Sequence, residues 1–495
     1  MKNLTARQRN IFFGMLGAVF LLSLSYSFYF RIPPAVDARA YDTIAWHLVQ
    51  GYGYREWLEI PLNNDNAIIR VGPGYEFFLA GLYFLFGHHY EIVWVAQAFL
   101  LMLMALLTFL TAREVFSNSF LENMEVGCSS RAWLIGVVAA FLVGFSPDLI
   151  TMQGMLMTET LGIFLVVLSV YLFFNALNRE LEPRSEKIWG VGAAAESAMQ
   201  EGGKIFKERG EGFSWWYKWA LVALVLALAT LVRTPSILLA LPMGGYLFWH
   251  KQWRAIVFMT LVGVLVFAPW TVRNYRVFGE FIPTNLASGF NLLAGNRPGA
   301  NGEQEPYPIL DKYVKKYGYV EANRRASSDA LSFITSHPLE YIKLTLLRAS
   351  IYFSFARPTG FWFHLSGFSK ITALVASSIY AFILFIFGFW GIAVFLKEYF
   401  KRNTTTPQRD NDRALLLFGM LLMMPLAIIP IIVETRYRMP VYPFFALFAG
   451  FGFQKLREKQ KCLTCFALVV FLVFANTAFD VIYNLDRIIE RISGI

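Results

Sequence analysis

Asn10 to Phe30 is a run of 21 residues without a single charged side chain. As a helix rising about 1.5 Å per residue, it covers roughly 30 Å, the thickness of a bilayer's hydrocarbon core. Inside lipid every backbone N–H and C=O must be satisfied within the protein, so such a run folds as a spanning helix. The residues that follow it, Phe30-Arg31-Ile32-Pro33, offer no small-residue cleavage site, so it reads as a retained anchor rather than a signal peptide. The pattern then recurs. Apolar runs that read as spans fall at roughly 10–30, 91–112, 132–146, 158–177, 216–232, 234–249, 255–271, 369–396, 414–433, 439–454 and 463–480. Several fall short of the roughly 20 residues a span requires. With 56% of residues hydrophobic and 16% charged, no soluble class fits. The expected fold is an all-α polytopic membrane protein with about eleven transmembrane helices. Amphipathic helices on its outer surface and a mixed outer loop region complete it.

Lys and Arg set the orientation. With the N-terminus in the cytoplasm, the inner segments hold 23 of the chain's 44 Lys and Arg, and the short outer segment 147–157 holds none. The net charge of +10 follows from this asymmetry, and no nucleic-acid partner is implied. Gly72 to Gly87 is apolar too. Counting it as a span would put the basic loops outside, so it is expected to lie along the outer surface. Two outer segments are long, about 31–90 and 272–368. The second contains an expected helix, Val320 to Ser336, and an amphipathic one, Leu339 to Phe355. The charged, Gly-rich inner segment 178–215 reads as a flexible linker. The chain thus divides into a membrane module (1–271), a large outer region (272–368) and C-terminal membrane helices (369–495). Three cysteines imply no disulfide framework, and Cys462-x-x-Cys465 reads as chance placement on a membrane helix.

Polar groups gather at the outer ends of the spans. Asp37, Asp42 and Arg70 lie in the first outer loop. Asp37 to Gln50 has the spacing of a short amphipathic helix with Tyr41, Ile44, Ala45 and Leu48 on one face. Asp37 at its N-cap would stay ionised, as a structural cap, a base or a metal ligand. Asp148 and Glu159 flank the second outer segment. A carboxylate at a helix start is favoured by the helix dipole, and one at membrane depth is otherwise costly. Arg233, Arg273 (beside Asn274), Arg276, Arg436 and Arg438 occupy further outer ends. A planar guanidinium donates two parallel hydrogen bonds to phosphate, so several on one face make an anion site, the bland alternative being contact with lipid headgroups. The chain has no GxxxxGK[ST], no strand–GxGxxG–helix unit, no HExxH and no GxSxG, which argues against ATP-driven transport and against protease or hydrolase chemistry.

Taken in order, these segments resemble the GT-C glycosyltransferases. VDARAYDTIAWHLVQGYGYR resembles their first outer loop, and RVGPGYEFFLAGLYFLFG their amphipathic surface helix. MTETL, LVRTPS, PWTVRNYRVFGEFIPTNLASGFNLLAGNRPGANG and ETRYRMPVYP are similar to further blocks. The likeness runs from about residue 10 to about residue 455. It is strongest to the family 39-like group, which includes protein O-mannosyltransferases and the lipid A aminoarabinose transferase. The resemblance implies a polyprenyl-phosphate sugar donor on the outer leaflet and a hydroxyl or amine acceptor on a lipid, glycan or protein, with inversion at the anomeric carbon. It maps the loop aspartate onto Asp37, acting as base or through a divalent metal, with Asp42 as second candidate. It maps the phosphate-holding residues onto Arg70, Arg233, Arg436 and Arg438. Tyr41, Asp148, Glu159, Arg273 and Asn274 complete the candidate site. The chain departs from the group where Ala38 follows Asp37 in place of Glu, and where Glu76 replaces the second proline of the surface helix.

The reading is an integral membrane glycosyltransferase, in a prokaryotic plasma membrane, working on the outer face. The alternatives are a lipid-linked sugar flippase, which needs polar residues along several spans, and a polysaccharide polymerase or ligase, which needs no carboxylate at Asp37. The absence of an internal repeat counts against a repeat-built transporter. The topology is testable in intact cells. Cysteines placed at Asn64 and Asn301 are expected to label from outside, and one at Ser197 only after permeabilisation. Outside labelling of Ser197 would overturn this orientation.

Overall fold

Seven helices are long and apolar enough to cross a membrane among the described residues: α1 (Ala6–Phe30), α4 (Tyr90–Phe116), α7 (Thr158–Glu180), α8 (Trp215–Val232), α10 (Trp253–Phe278), α14 (Gly367–Arg402) and α17 (Leu463–Tyr483). An eighth is counted if α5 (Cys128–Gly144) and α6 (Pro147–Gln153), bent by 52° where they meet, form one span. The computed structural model describes residues 5–487 and 489 except 71, 117–127, 181–214, 306, 358–362, 403–410 and 458–462. The expected linker 178–215 lies almost wholly outside the described residues, as does Cys462.

All eleven expected spans coincide with helix, but the count of eleven crossings does not follow from length and composition. Prolines account for the shortfall. The run 234–249 opens as a tight 3-10 turn, Thr234–Leu239, with Pro235 in its first positions, before α9 (Ala240–Trp249). The run 414–433 stops at the end of α15 (Asn411–Ile428), which contains Pro425. The run 439–454 opens as a second 3-10 turn, Thr435–Val441, around Pro440, and continues as α16 (Tyr442–Arg457). A proline has no N–H for the i→i−4 ladder and clashes with the preceding turn, so a helix starts or breaks there. Cys465 is disulfide-bonded, a pairing that the cysteine count did not imply.

α16 is the buried centre of the bundle, packed between α5 and α14. Small residues let backbones meet there. A Cβ on Gly391 would stand 1.8 Å from the Phe448 carbonyl oxygen, and one on Gly450 would stand 2.5 Å from that of Ile135. Close backbone approach of this kind drives helix association in lipid, where apolar side chains gain nothing by leaving the solvent. α10 shows the opposite environment. Val257, Leu261, Val264, Leu265 and Val272 are exposed along it, as expected of a helix facing lipid.

The short helices expected after the first span and before the second are both present. α2 (Asp37–Val49) buries Tyr41, Ile44 and Ala45. α3 (Gly74–Phe86), only 13 residues long, cannot span. It buries Tyr75, Glu76, Leu79, Ala80 and Tyr83 and exposes Phe77, Phe84, Leu85 and Phe86, the pattern of a helix lying in the interface. Its start is pressed against the end of α8, where a Cβ on Gly72 would lie 2.2 Å from the Leu231 carbonyl oxygen. The region 272–368 is helical, with α11 (Ala287–Gly295), α12 (Pro308–Ser336, broken at Gly318) and α13 (Pro338–Phe353). One isolated parallel bridge joins its Glu303 to Val433.

Gly391→Ala forces a methyl group into the α14–α16 contact and is expected to cost about 1–3 kcal/mol, the usual scale of overpacking. Gly263→Ala in α10, with nothing within 4 Å of the added carbon, is the control. Thermal unfolding in detergent should show a lower midpoint for the first variant alone. Equal midpoints would reject the close contact.

Candidate active site

The connection from α1 to α2 is turned twice through the left-handed region, at Arg31 (φ 43°) and at Val36 (φ 52°, ψ −118°). A β-branched residue at positive φ is strained by about 1–3 kcal/mol, and such strain persists where the surroundings dictate it. The turn delivers Asp37. The expectation of an N-capping aspartate is corrected here: the cap position is Val36, which makes no side-chain cap bond, and Asp37 is the first residue of α2. Its carboxylate is shared by two arginines. Oδ2 accepts from Arg436 Nη2 at 3.2 Å and Oδ1 from Arg70 Nη1 at 3.5 Å.

From Asp37 a line of alternating charge runs into the protein. Arg436, from the turn between α15 and α16, gives Nε to Glu434 at 2.8 Å and lies 3.9 Å from Glu159 Oε1. Glu159, buried in the first turn of α7, forms an ion pair with Arg233 Nη1 at 2.7 Å. Arg233 Nη1 also donates to Thr158 Oγ1 at 3.1 Å. On the other side, Arg70 is clamped by Glu56 through Nη2 at 2.7 Å and Nε at 3.1 Å. The Tyr437 ring faces both Arg233 and Arg436, at 5.6 and 5.4 Å from its centroid, and its hydroxyl donates to Gln304 Oε1 at 2.8 Å. Contact with a ring face leaves the in-plane N–H groups of a guanidinium available.

Burial and pairing compete over these charges. Burial lowers the pKa of Arg436, but Tyr437, Glu159, Glu434 and Asp37 outweigh it and leave the pKa well above the ordinary value. Burial likewise lowers that of Arg70, and Glu56 and Asp37 more than restore it. Glu434 is shifted up by burial, which Arg436 only partly offsets. The arginines are therefore permanent cations, and Glu434 is held closer to its neutral form than an ordinary carboxyl.

Two hollows flank this line. One has Asp37 in a lining otherwise made of Ile32, Pro33, Ala38, Met155, Met157, Phe363 and similar apolar or small residues. The other has Arg233, Ser236 and Tyr437 beside Val166, Met424, Ile428 and Pro440. Asp37–Arg436–Glu159–Arg233 connects them.

The remaining sequence candidates lie elsewhere. Asp42 is buried and already satisfied by Tyr83 Oη (2.6 Å), His88 Nε2 (2.9 Å) and Tyr90 Oη (3.0 Å), pinning α2 to the α3–α4 corner. Arg438 is fully buried and donates to the Ser354 and Arg357 carbonyls at 2.6 and 2.5 Å and to Tyr442 Oη at 3.1 Å. Tyr442 Oη donates in turn to Asp148 Oδ2 at 2.7 Å, and Ser377 also donates to that carboxylate. Arg438 and Asp148 thus brace α6, α14 and α16 together. Arg273 stacks on Trp270 (5.1 Å) and donates to the Tyr54 carbonyl, and Asn274 holds the Ile282 carbonyl. Both tie the end of α10 to its neighbouring loops. Tyr41 is buried against Tyr75, edge to face at 5.7 Å, directly behind Asp37 on α2. Sequence reasoning missed Glu56, Glu434 and Tyr437. The last two stand in ETRYRMPVYP beside Arg436 and could have been read there, whereas nothing in the loop marks Glu56 as the partner of Arg70.

Among the described residues no three His, Cys, Asp or Glu side chains gather as metal ligands. The donor set around Asp37 does not fit a divalent cation either. Both of its oxygens face guanidinium groups, and Glu56, Glu159 and Glu434 are each paired with arginine. No step is derived through a metal.

Arg438→Lys keeps the charge but cannot reach both carbonyls and Tyr442. At least one buried acceptor then loses its donor, at a cost of about 1–3 kcal/mol, so the thermal midpoint should fall. An unchanged midpoint with weakened binding of polyprenyl phosphate would return Arg438 to the phosphate site.

No protein-family model and no curated protein matches the chain. Solved structures do. The oligosaccharyltransferase of Archaeoglobus fulgidus in its apo form aligns with a TM-score of 0.50 and 13% identity, over 96% of this chain and 54% of that one. The archaeal oligosaccharyltransferase AglB, from the same organism, in complex with an inhibitory peptide and a dolichol-phosphate, aligns at 0.49 and 12% identity, over 96% and 55%. ArnT from Cupriavidus metallidurans bound to undecaprenyl phosphate aligns at 0.48 and 13%, over 94% and 64%. The chain spans between about half and two thirds of the length of these proteins. The likeness to the archaeal oligosaccharyltransferase shows the fold, a bundle of membrane helices.

Proposed function

We propose that this protein is a membrane glycosyltransferase that moves a sugar from a polyprenyl-phosphate donor to a hydroxyl or amine on a lipid, glycan or protein acceptor, with inversion. The observation that carries the reading is the alternating line Asp37–Arg436–Glu159–Arg233 between two hollows. One hollow offers a carboxylate, and the other offers a cation beside an apolar wall.

The donor chain lies in the second hollow along Val166, Met424 and Ile428, with its phosphate on Arg233 and Arg436. Glu434, about one third exposed and shifted towards its neutral form, is the carboxylate that a phosphate displaces from Arg436 most cheaply. The acceptor enters the first hollow. Asp37 takes its proton as the nucleophile bonds to the anomeric carbon. The bond from that carbon to the phosphate oxygen breaks on the opposite side, and its electron pair stays on the phosphate. Fixed arginines stabilise this charge as it develops, without reorganising at the moment of reaction. Attack and departure on opposite faces give inversion. The outer face and the bilayer position follow from the charge asymmetry of the loops.

Purified protein incubated with a panel of polyprenyl-phosphate sugars, with and without EDTA, is expected to release free polyprenyl phosphate from at least one donor in the presence of acceptor. Asp37→Asn should fold, bind donor and lose turnover by about a hundredfold or more, the scale for removing a general base. Near-normal turnover in a well-folded Asp37→Asn protein rejects the assignment. Asp42→Asn separates the two carboxylates: it should lower stability through the loss of charge on a residue that accepts three hydrogen bonds, with a smaller loss of turnover.

A further inference from the structure

The Tyr437 ring lies against both cations of the proposed phosphate site, 5.6 Å from Arg233 and 5.4 Å from Arg436, and it borders the second hollow. The turn fixes its backbone, where the Tyr437 N–H donates to the Glu434 carbonyl at 2.9 Å. The ring itself is held at its far end, where Oη donates to Gln304 Oε1 at 2.8 Å. Gln304 is an exposed residue 133 positions away, in the region 272–368.

The chain around Gln304 is fastened from two sides. Gly302 turns through the left-handed region at φ 91°, and Glu303 then pairs with Val433 in the parallel bridge. The Gln304 N–H donates to the Val433 carbonyl at 3.1 Å. Successive side chains on extended backbone point to opposite sides. Glu303 accordingly turns inwards, to a buried ion pair with Arg357. Arg357 in turn grips both oxygens of Asp480, near the end of α17, through Nε and Nη2 at 2.9 Å each. Gln304 turns the other way, to Tyr437. Val433 stands just before the turn Thr435–Val441, so the bridge sets this segment in register with the turn that carries Arg436 and Tyr437.

We propose that Gln304 is a positioning residue for the donor phosphate: it holds the Tyr437 ring against Arg233 and Arg436, and the ring sets the spacing of the two guanidinium groups. The inference rests on those arginines holding the phosphate. Arg233 and Arg436 share Glu159, at 2.7 and 3.9 Å, so two like charges stand close together. They repel each other, and a ring face attracts both. Without Gln304 the ring keeps its backbone tether but is free to swing about its side-chain bonds, away from the cations. The arginines keep Glu159, Glu434 and Asp37, so their charge remains while their arrangement loosens. Two-pronged recognition of a phosphate depends on arrangement as well as charge.

Binding of a polyprenyl phosphate to the purified protein, beside the polyprenol that lacks the phosphate, tests this. Gln304→Met keeps the length of the side chain and removes the acceptor. It is expected to raise the Kd for polyprenyl phosphate about fivefold, the scale of one hydrogen bond between neutral groups. The Kd for polyprenol and the thermal midpoint should stay as in wild type. Tyr437→Phe keeps the ring, removes the donor and should show the same loss. The double variant should lose no more than either single one, because both sever one contact. A merely structural role would lower the midpoint and leave the preference for phosphate over polyprenol unchanged, and that result overturns the proposal. Wild-type affinity in Gln304→Met overturns it as well, as does a double variant whose losses add. If Gln304→Met does not fold, Gln304→Ala takes its place in the same cycle. A wild type that binds polyprenyl phosphate no better than polyprenol overturns the phosphate site and the role of Gln304 together, whereas a phosphate preference unmoved by the variants overturns the role of Gln304 alone.

Discussion

The hydrogen bond from Arg436 to Asp37 joins residues 399 positions apart, and much of one end of the bundle is arranged around it. Arg436 is buried, and a buried guanidinium left unpaired would cost several kcal/mol. Its partners must therefore come to it. Asp37 arrives on the strained turn after α1, Glu159 at the start of α7 and Glu434 from the same loop. Arg233 then needs Glu159, and Arg70 needs Glu56. A sequence of single obligations converts five chain segments into one charged seam.

The seam is set in a frame that supplies geometry and no chemistry. Arg438, Asp148 and Tyr442 lock three helices by hydrogen bonds to one another and to carbonyls. Asp42 fastens α2 to α3 and α4, which fixes the direction in which Asp37 leaves the helix start. The glycine contacts between α14 and α16 fix α16, and the turn that leads into it and carries Arg436 packs on α7. These polar residues are more deeply buried than Asp37, Arg70 or Glu434 of the seam, so depth of burial does not mark the site. What distinguishes the seam is that its two ends, Asp37 and Arg233, border hollows.

Legibility in the sequence followed the range of the interactions involved. The helix expected over Asp37 to Gln50 is observed over Asp37–Val49, and the surface helix expected over Gly72 to Gly87 over Gly74–Phe86, because apolar spacing and glycine ends are local signals. Proline positions were local as well, and reading them would have shown the tight turns at Thr234–Leu239 and Thr435–Val441. The pairings were not legible. Asp37 and Asp42, five residues apart on a helix, are separated by about 140° around its axis and so reach different surroundings. Arg436 and Arg438, two apart in a 3-10 turn, are separated by about 120° and diverge, one towards Asp37 and the other into the α13–α16 contact.

By itself the sequence determined that this chain is a bundle of membrane helices with its polar groups gathered at helix ends. Those outcomes follow from length, charge and backbone satisfaction, which each segment settles alone. Tertiary structure decided which arginine meets which carboxylate and which polar residues border a hollow. Ion pairing and burial depend on distance in space, and segments as far apart as Asp37 and Arg436 acquire that distance only when the helices pack.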